Sequence, residues 1–147
     1  MAQRKGLSIL IPVDFSPDTE KWIKNAINII QQNISKITFM YVLPLGMKEL
    51  EDFTDEKSIK RAESIAKSKL VALSESFKIN QYKIDIILAT GDPASLIIDE
   101  ANSGKYDLIA IGHRGYGYHE QFFIGSVTLK VLSASKIPVL VIRKERK

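Results

Sequence analysis

The sequence predicts an α/β fold: one three-layer domain in which a five-stranded parallel sheet carries helices on both faces. Three observations predict it. Short, β-branched, almost continuously apolar runs alternate with stretches of helical period, the pattern of strands covered on both faces and of the helices that cover them. The chain has 147 residues, of which 45% are hydrophobic and 26% charged, ordinary usage for one globular domain with a proper core. No internal repeat, low-complexity stretch or interdomain linker interrupts the alternation, so residues 1–147 read as a single domain with basic tails at 1–5 and 143–147.

Residues 7–13 (LSILIPV) are the first strand. The DFSPD that follows supplies a loop and a helix start, with Ser16 as N-cap and Pro17 at the first helical position. Trp22, Ile23, Ala26, Ile27 and Ile30 then recur at helical spacing. Residues 37–42 (ITFMYV) form a second strand, broken at Pro44–Leu45–Gly46, and 47–53 fit no template. A long helix spans about 55–77, its inner stripe being Ile59, Ala62, Ile65, Ala66, Leu70, Leu73 and Phe77. Residues 83–90 are the third strand. Asp92 caps a short helix whose first residue is Pro93 and which Gly104 closes. Residues 108–111 are a fourth strand, 125–135 a helix and 138–142 the last strand.

Composition excludes several classes. Cysteine is absent, which removes disulfides, thiolate metal sites and cysteine nucleophiles. No apolar run reaches the length of a membrane span, and the N-terminus lacks the apolar stretch and cleavage site of a secretory signal, so a cytoplasmic protein is expected. The net charge of +4 sits in the tails: Arg4 and Lys5 carry +2 and residues 143–147 carry +3, which leaves −1 for 6–142. The body presents no basic field for nucleic acid.

In open α/β sheets ligands bind beyond the carboxyl ends of the strands, where the strand order reverses. Two strand exits carry suitable residues: Pro12–Val13–Asp14, and the segment 112–128, GHRGYGYHEQFFIGSVT. Four of the eight glycines, Gly112, Gly115, Gly117 and Gly125, fall in this segment. Glycines between a strand end and a helix start let backbone N–H groups approach an anion, and the helix aims its positive end at the same place. Ser126 and Thr128 add hydroxyls that can cap the helix or donate to a phosphate. The segment has neither the P-loop pattern nor the dinucleotide glycine triplet. His113, His119 and Glu120 have no recognised zinc spacing. Tyr116, Tyr118, Phe122 and Phe123 fit packing of the loop over a site better than base stacking.

The spacing Gly112-x2-Gly115-x9-Gly125-Ser126 resembles the ATP-binding signature of the universal stress protein family, G-x2-G-x9-G-[ST], with no position missing. The resemblance extends over the PVDFS of the first strand exit, Val42, the Gly91–Asp92–Pro93 turn, the DLIAIG ending at Gly112 and the final PVLVI. It implies a Rossmann-like sheet of the adenine nucleotide alpha hydrolase type, in the order 3-2-1-4-5, with ATP across the first and fourth strands. At matching positions it implies Asp14 and Val42 on the adenine and ribose side, with Pro12 shaping that wall. Gly112, Gly115, Gly125, Ser126 and Thr128 would surround the phosphates, Val127 would offer backbone, and Arg114 would add positive charge. Mg²⁺, or Mn²⁺ in its place, would be held through the phosphates. A bare carboxylate is repelled by a triphosphate, so Asp14 should touch sugar or base, or act through the metal.

No general base, nucleophile elbow or carboxylate pair accompanies the glycine loop, so binding with at most slow hydrolysis is expected. ATP would then favour one conformation or one surface for a regulatory protein partner. The alternative is a protein–protein interaction module of the same fold that works without nucleotide. In the implied order Val139–Ile142 is an apolar edge strand, and two-fold pairing of that edge in a homodimer would cover it.

Overall fold

The computed structural model describes residues 6–31, 33–44, 55–78, 82–113 and 125–143. Nine elements alternate along them: β1 (Leu7–Pro12), α1 (Thr19–Ile30), β2 (Ile34–Pro44), α2 (Glu56–Glu75), β3 (Lys83–Gly91), α3 (Pro93–Ala101), β4 (Leu108–Gly112), α4 (Ser126–Ala134) and β5 (Val139–Ile142). The strands form one parallel sheet in the order β3-β2-β1-β4-β5, as expected. The tails 1–5 and 144–147 and the segment 45–54, with Leu45 and Gly46 of the expected strand break, lie outside the described residues.

Because successive side chains of a strand point to opposite faces, the apolar runs feed two cores. On one face Ile9, Ile11, Ile37 and Phe39 meet Trp22 and Ile23 of α1 and Leu70 and Leu73 of α2. On the other, Leu10, Met40, Ile109 and Ile111 meet Ile97 of α3 and Val131 of α4. The connections turn to opposite faces on either side of the β1–β4 pair, which makes the exits of those two strands the topological switch point. At the other end of the same pair a clamp joins them. The Ser8 N–H donates to Asp107 Oδ2 at 2.9 Å and the Asp107 N–H to the Ser8 carbonyl at 2.7 Å.

Several boundaries differ from the sequence expectation. α1 begins at Thr19, with Asp18 as N-cap, rather than at Pro17 after Ser16. The reason is a turn ahead of the helix: the Ser16 carbonyl accepts the Thr19 N–H at 3.0 Å and the Thr19 hydroxyl at 2.7 Å, and the Ser16 hydroxyl donates to Asp18. β2 starts at Ile34, three residues early, because backbone pairing with β1 carries through Lys36, which interrupts the apolar pattern. Lys36 is held there by Asp85 on β3 at 2.7 Å. In α2, Ala66, Leu70, Leu73 and Phe77 just beyond it are buried, but Ile65 is 53% exposed and does not belong to the inner stripe. α3 starts as expected, with Pro93 opening it and the Asp92 carboxylate accepting the Ser95 N–H at 2.9 Å, but it ends at Ala101 with Asn102 as C-cap, two residues before Gly104. Gly91, at φ +151°, sets up that cap.

Candidate functional site at the β1 and β4 exits

On the β1 side, Pro12 is the last strand residue, buried and paired with Met40. The Val13 N–H extends the ladder by one bond to the Met40 carbonyl, 2.9 Å. Asp14 is the first residue past the ladder and half-buried; its Oδ1 accepts the Ser16 N–H at 3.1 Å, closing an Asx turn. Between them Phe15 takes φ +59°, in the left-handed region that glycine fills at little steric expense and that costs other residues about 1–2 kcal/mol. Its ring packs on Tyr41 at 4.6 Å between centroids, and Lys69 Nζ of α2 stands 5.6 Å from the ring centre. Burial, and secondarily the charge of Asp14, push the Tyr41 phenol above its ordinary value.

On the β4 side the ends of the glycine segment are stitched together. Gly112 pairs with Ile142, the His113 N–H donates to the Ile142 carbonyl at 2.9 Å, and the Gly125 N–H donates to the His113 carbonyl at 2.6 Å. The Thr128 hydroxyl, buried, donates to the Gly112 carbonyl at 2.7 Å. These bonds bring the start of α4 onto the end of β4. Gly125 is its N-cap, and the Gly125 carbonyl takes the Leu129 N–H, so the amides of Ser126, Val127 and Thr128 precede the first α-helical hydrogen bond. The positive end of the helix dipole lies at the same place.

Gly125 has φ −61° and ψ 150°, values open to any residue, and Gly112 is not among the described glycines of positive φ. Backbone conformation therefore does not demand glycine at either position; both are buried where α4 meets β4. Ser126 is exposed, while Val127 is half-buried and packs, like Val42, on the α3/α4 core. The side chains of Val127 and Val42 serve packing, so any part these two have in a site falls to their backbone. Arg114, Gly115 and Gly117, with the aromatics Tyr116, Tyr118, Phe122 and Phe123 and with His119 and Glu120, lie outside the described residues. Among the described residues no three His, Asp or Glu side chains are grouped to hold a metal, and no helix is long and apolar enough to cross a membrane.

Phe15 is the feature that sequence reasoning missed. The Asp14–Phe15–Ser16 triplet carries the signal, because an Asp that closes a turn onto the residue two ahead makes the residue between them its second corner.

The model of the universal stress protein family matches residues 7–143. A universal stress protein of Methanocaldococcus jannaschii is 27% identical over 154 aligned positions, covering 93% of this chain and 94% of its own. Its solved structure superposes with a TM-score of 0.80 at 26% identity, covering 98% of this chain and all of that one. A universal stress protein of Archaeoglobus fulgidus in complex with dAMP has a TM-score of 0.65 at 21% identity, covering 95% of this chain and 100% of that one. One of Arabidopsis thaliana with AMP bound has a TM-score of 0.59 at 17% identity over 95% and 92% of the two chains. At the last two identities the likeness is one of fold.

Proposed function

Since the chain belongs to the universal stress protein family, we propose that it is an ATP-binding regulatory protein of the cytoplasm, which uses the nucleotide as a ligand that selects a conformation or a partner surface and hydrolyses it slowly at most. The observation that carries this reading is the pairing at the switch point. A half-buried carboxylate ends β1, and on the β4 side three helix-start amides sit behind two glycines that their backbone angles do not require. Relatives of the same fold have been solved with dAMP and with AMP.

In this reading Asp14 takes the ribose or base side, with Pro12 and the Val42 backbone forming the wall. Gly112, Gly115, Gly125 and the amides of Ser126, Val127 and Thr128 receive the phosphates, and Arg114 adds charge. Among the described residues the donor set fits a phosphate chain: the amides of Ser126, Val127 and Thr128 precede the first helical hydrogen bond of α4, at the positive end of its dipole. Mg²⁺ or Mn²⁺ would be held through the phosphates and would offset their charge. The protein pairs with a second copy through the open edge of β5, and a regulatory protein reads the nucleotide state.

Gly125→Val tests the reading, since φ −61° admits valine, with a ligand-free Tm close to the wild-type value as the check that the buried position still folds. Denatured wild-type protein should release stoichiometric adenine nucleotide on chromatography. Mg-ATP at a hundred times its Kd should stabilise wild type by about 2.7 kcal/mol, a Tm rise of roughly 5–11 °C. Gly125→Val should come out empty and unshifted. Empty wild-type extracts together with no thermal shift would instead favour the nucleotide-independent interaction module.

A further inference from the structure

We infer that Phe15 is a positioning residue: its left-handed backbone holds the Asp14 carboxylate at the mouth of the proposed site, and its ring ties that turn to α2. The inference rests on the nucleotide-binding reading above. It begins from a local conflict. The β1 ladder ends with the Val13-to-Met40 bond, and the Asp14 carboxylate then closes on the Ser16 N–H at 3.1 Å, which places Phe15 at φ +59°. Glycine would relieve that corner, and a bulky aromatic is among the least suited residues for it.

Core filling accounts for the conflict only in part, since the ring packs on the edge of the α1/α2 core. The Phe15 ring is only half-buried, and it borders a cavity of about 300 Å³ shared with Tyr41, Leu43, Arg61 and Ile65. What the ring does have is position: Tyr41 at 4.6 Å on one side and the Lys69 ammonium of α2 at 5.6 Å from its centre. Tyr41 is one strand over from Asp14, close enough to feel its charge. Ring, phenol and ammonium together over-determine a strained corner that sets both the placement of Asp14 and the Ser16 turn ahead of α1. Strain held in this way belongs to a site that needs one geometry before its ligand arrives.

The test measures Mg-ATP affinity by calorimetry, and Tm, for wild type, Phe15→Gly, Phe15→Tyr and Phe77→Leu. Phe77 is buried just beyond α2 against Phe39 and borders none of the open space beside Phe15, so trimming it supplies a loss of stability that does not pass through the turn. Phe15→Gly accepts the positive φ but loses the anchor, so the binding-competent turn becomes one of several. Affinity should weaken about tenfold, in proportion to the lost population. Phe15→Tyr should stay within about twofold of wild type, and Phe77→Leu should lower Tm with affinity unchanged. Wild-type affinity in Phe15→Gly overturns the inference, as does an affinity loss that merely follows Tm in both variants. A wild type that binds no nucleotide overturns the underlying reading itself, and the first titration shows which has failed.

Discussion

Thr128 has one hydroxyl proton, and it goes to the buried Gly112 carbonyl at 2.7 Å. From the sequence alone the hydroxyl could equally cap the helix or meet a phosphate, since helix-start Thr does both; only the fold brings Gly112 within reach. The bond makes Thr128 a rivet between β4 and α4. Thr128→Val should leave a buried carbonyl unsatisfied at a cost of about 1–3 kcal/mol, read as a lower urea midpoint without ligand, while Thr128→Ser should keep most of the wild-type value. Unaltered ligand-free stability in Thr128→Val would move the hydroxyl's role back to the ligand. Asp92 is the opposite case. Its cap on Ser95, ahead of Pro93, was legible because N-cap, proline and helix are all local in sequence.

Elements are legible where their signal is periodic and local, and shift where tertiary pairing decides. The start of β2 was hidden because Lys36 breaks the apolar run yet is stabilised in the sheet by Asp85, a partner 49 residues away. Ile65 has the spacing of an inward residue, but at 53% exposure it stands over the open space beside Phe15 and Leu43 rather than over the sheet. The sheet edge at β5 carries the element-scale prediction. The Pro138 and Ile142 carbonyls accept the N–H groups of Ile109 and His113, so even-numbered backbone groups of β5 face β4. In a parallel ladder this alternation leaves the Val139 and Val141 groups facing outward. Val141→Pro removes one outward N–H and none of the bonds to β4. If two copies pair through this edge, light scattering at micromolar concentration should give a dimer for wild type and a monomer for Val141→Pro, with far-UV dichroism unchanged. A wild-type monomer would exclude the pairing.

At the scale of the whole molecule, hydropathy alone did not order the strands. The runs are apolar on both faces, so any of several arrangements buries them, and the order 3-2-1-4-5 came with the glycine pattern. Charge gives a separate, global expectation. Asp55 and Asp92 are held below the ordinary carboxylate range by the Ser58 and Ser95 N–H groups they cap, and Asp85 is lowered by its hydrogen bond from Lys36. A depressed folded-state pKa contributes stability that is present above the unfolded value, near 3.9, and is lost as pH falls through the folded one. The urea midpoint should therefore be flat between about pH 7 and 5 and fall below about pH 4, less steeply in Asp85→Asn; an equal slope in that variant would remove Asp85 from the account.

The clamp between Ser8 and Asp107 sets a timetable for the nascent chain. Its two halves are 99 residues apart, and it lies beside the pairing of β1 with β4 at the centre of the sheet. During synthesis β1 can pair with β2 early, but its other edge must wait for β4, roughly 5–20 seconds later at ordinary elongation rates. Through that interval an apolar strand at the centre of the sheet offers an unpaired side to any passing chain. Newly made protein should be most vulnerable to misassembly just before Asp107 arrives, and because Asp107 precedes β4 in the chain, its two bonds to Ser8 are the first available to begin the central strand pair.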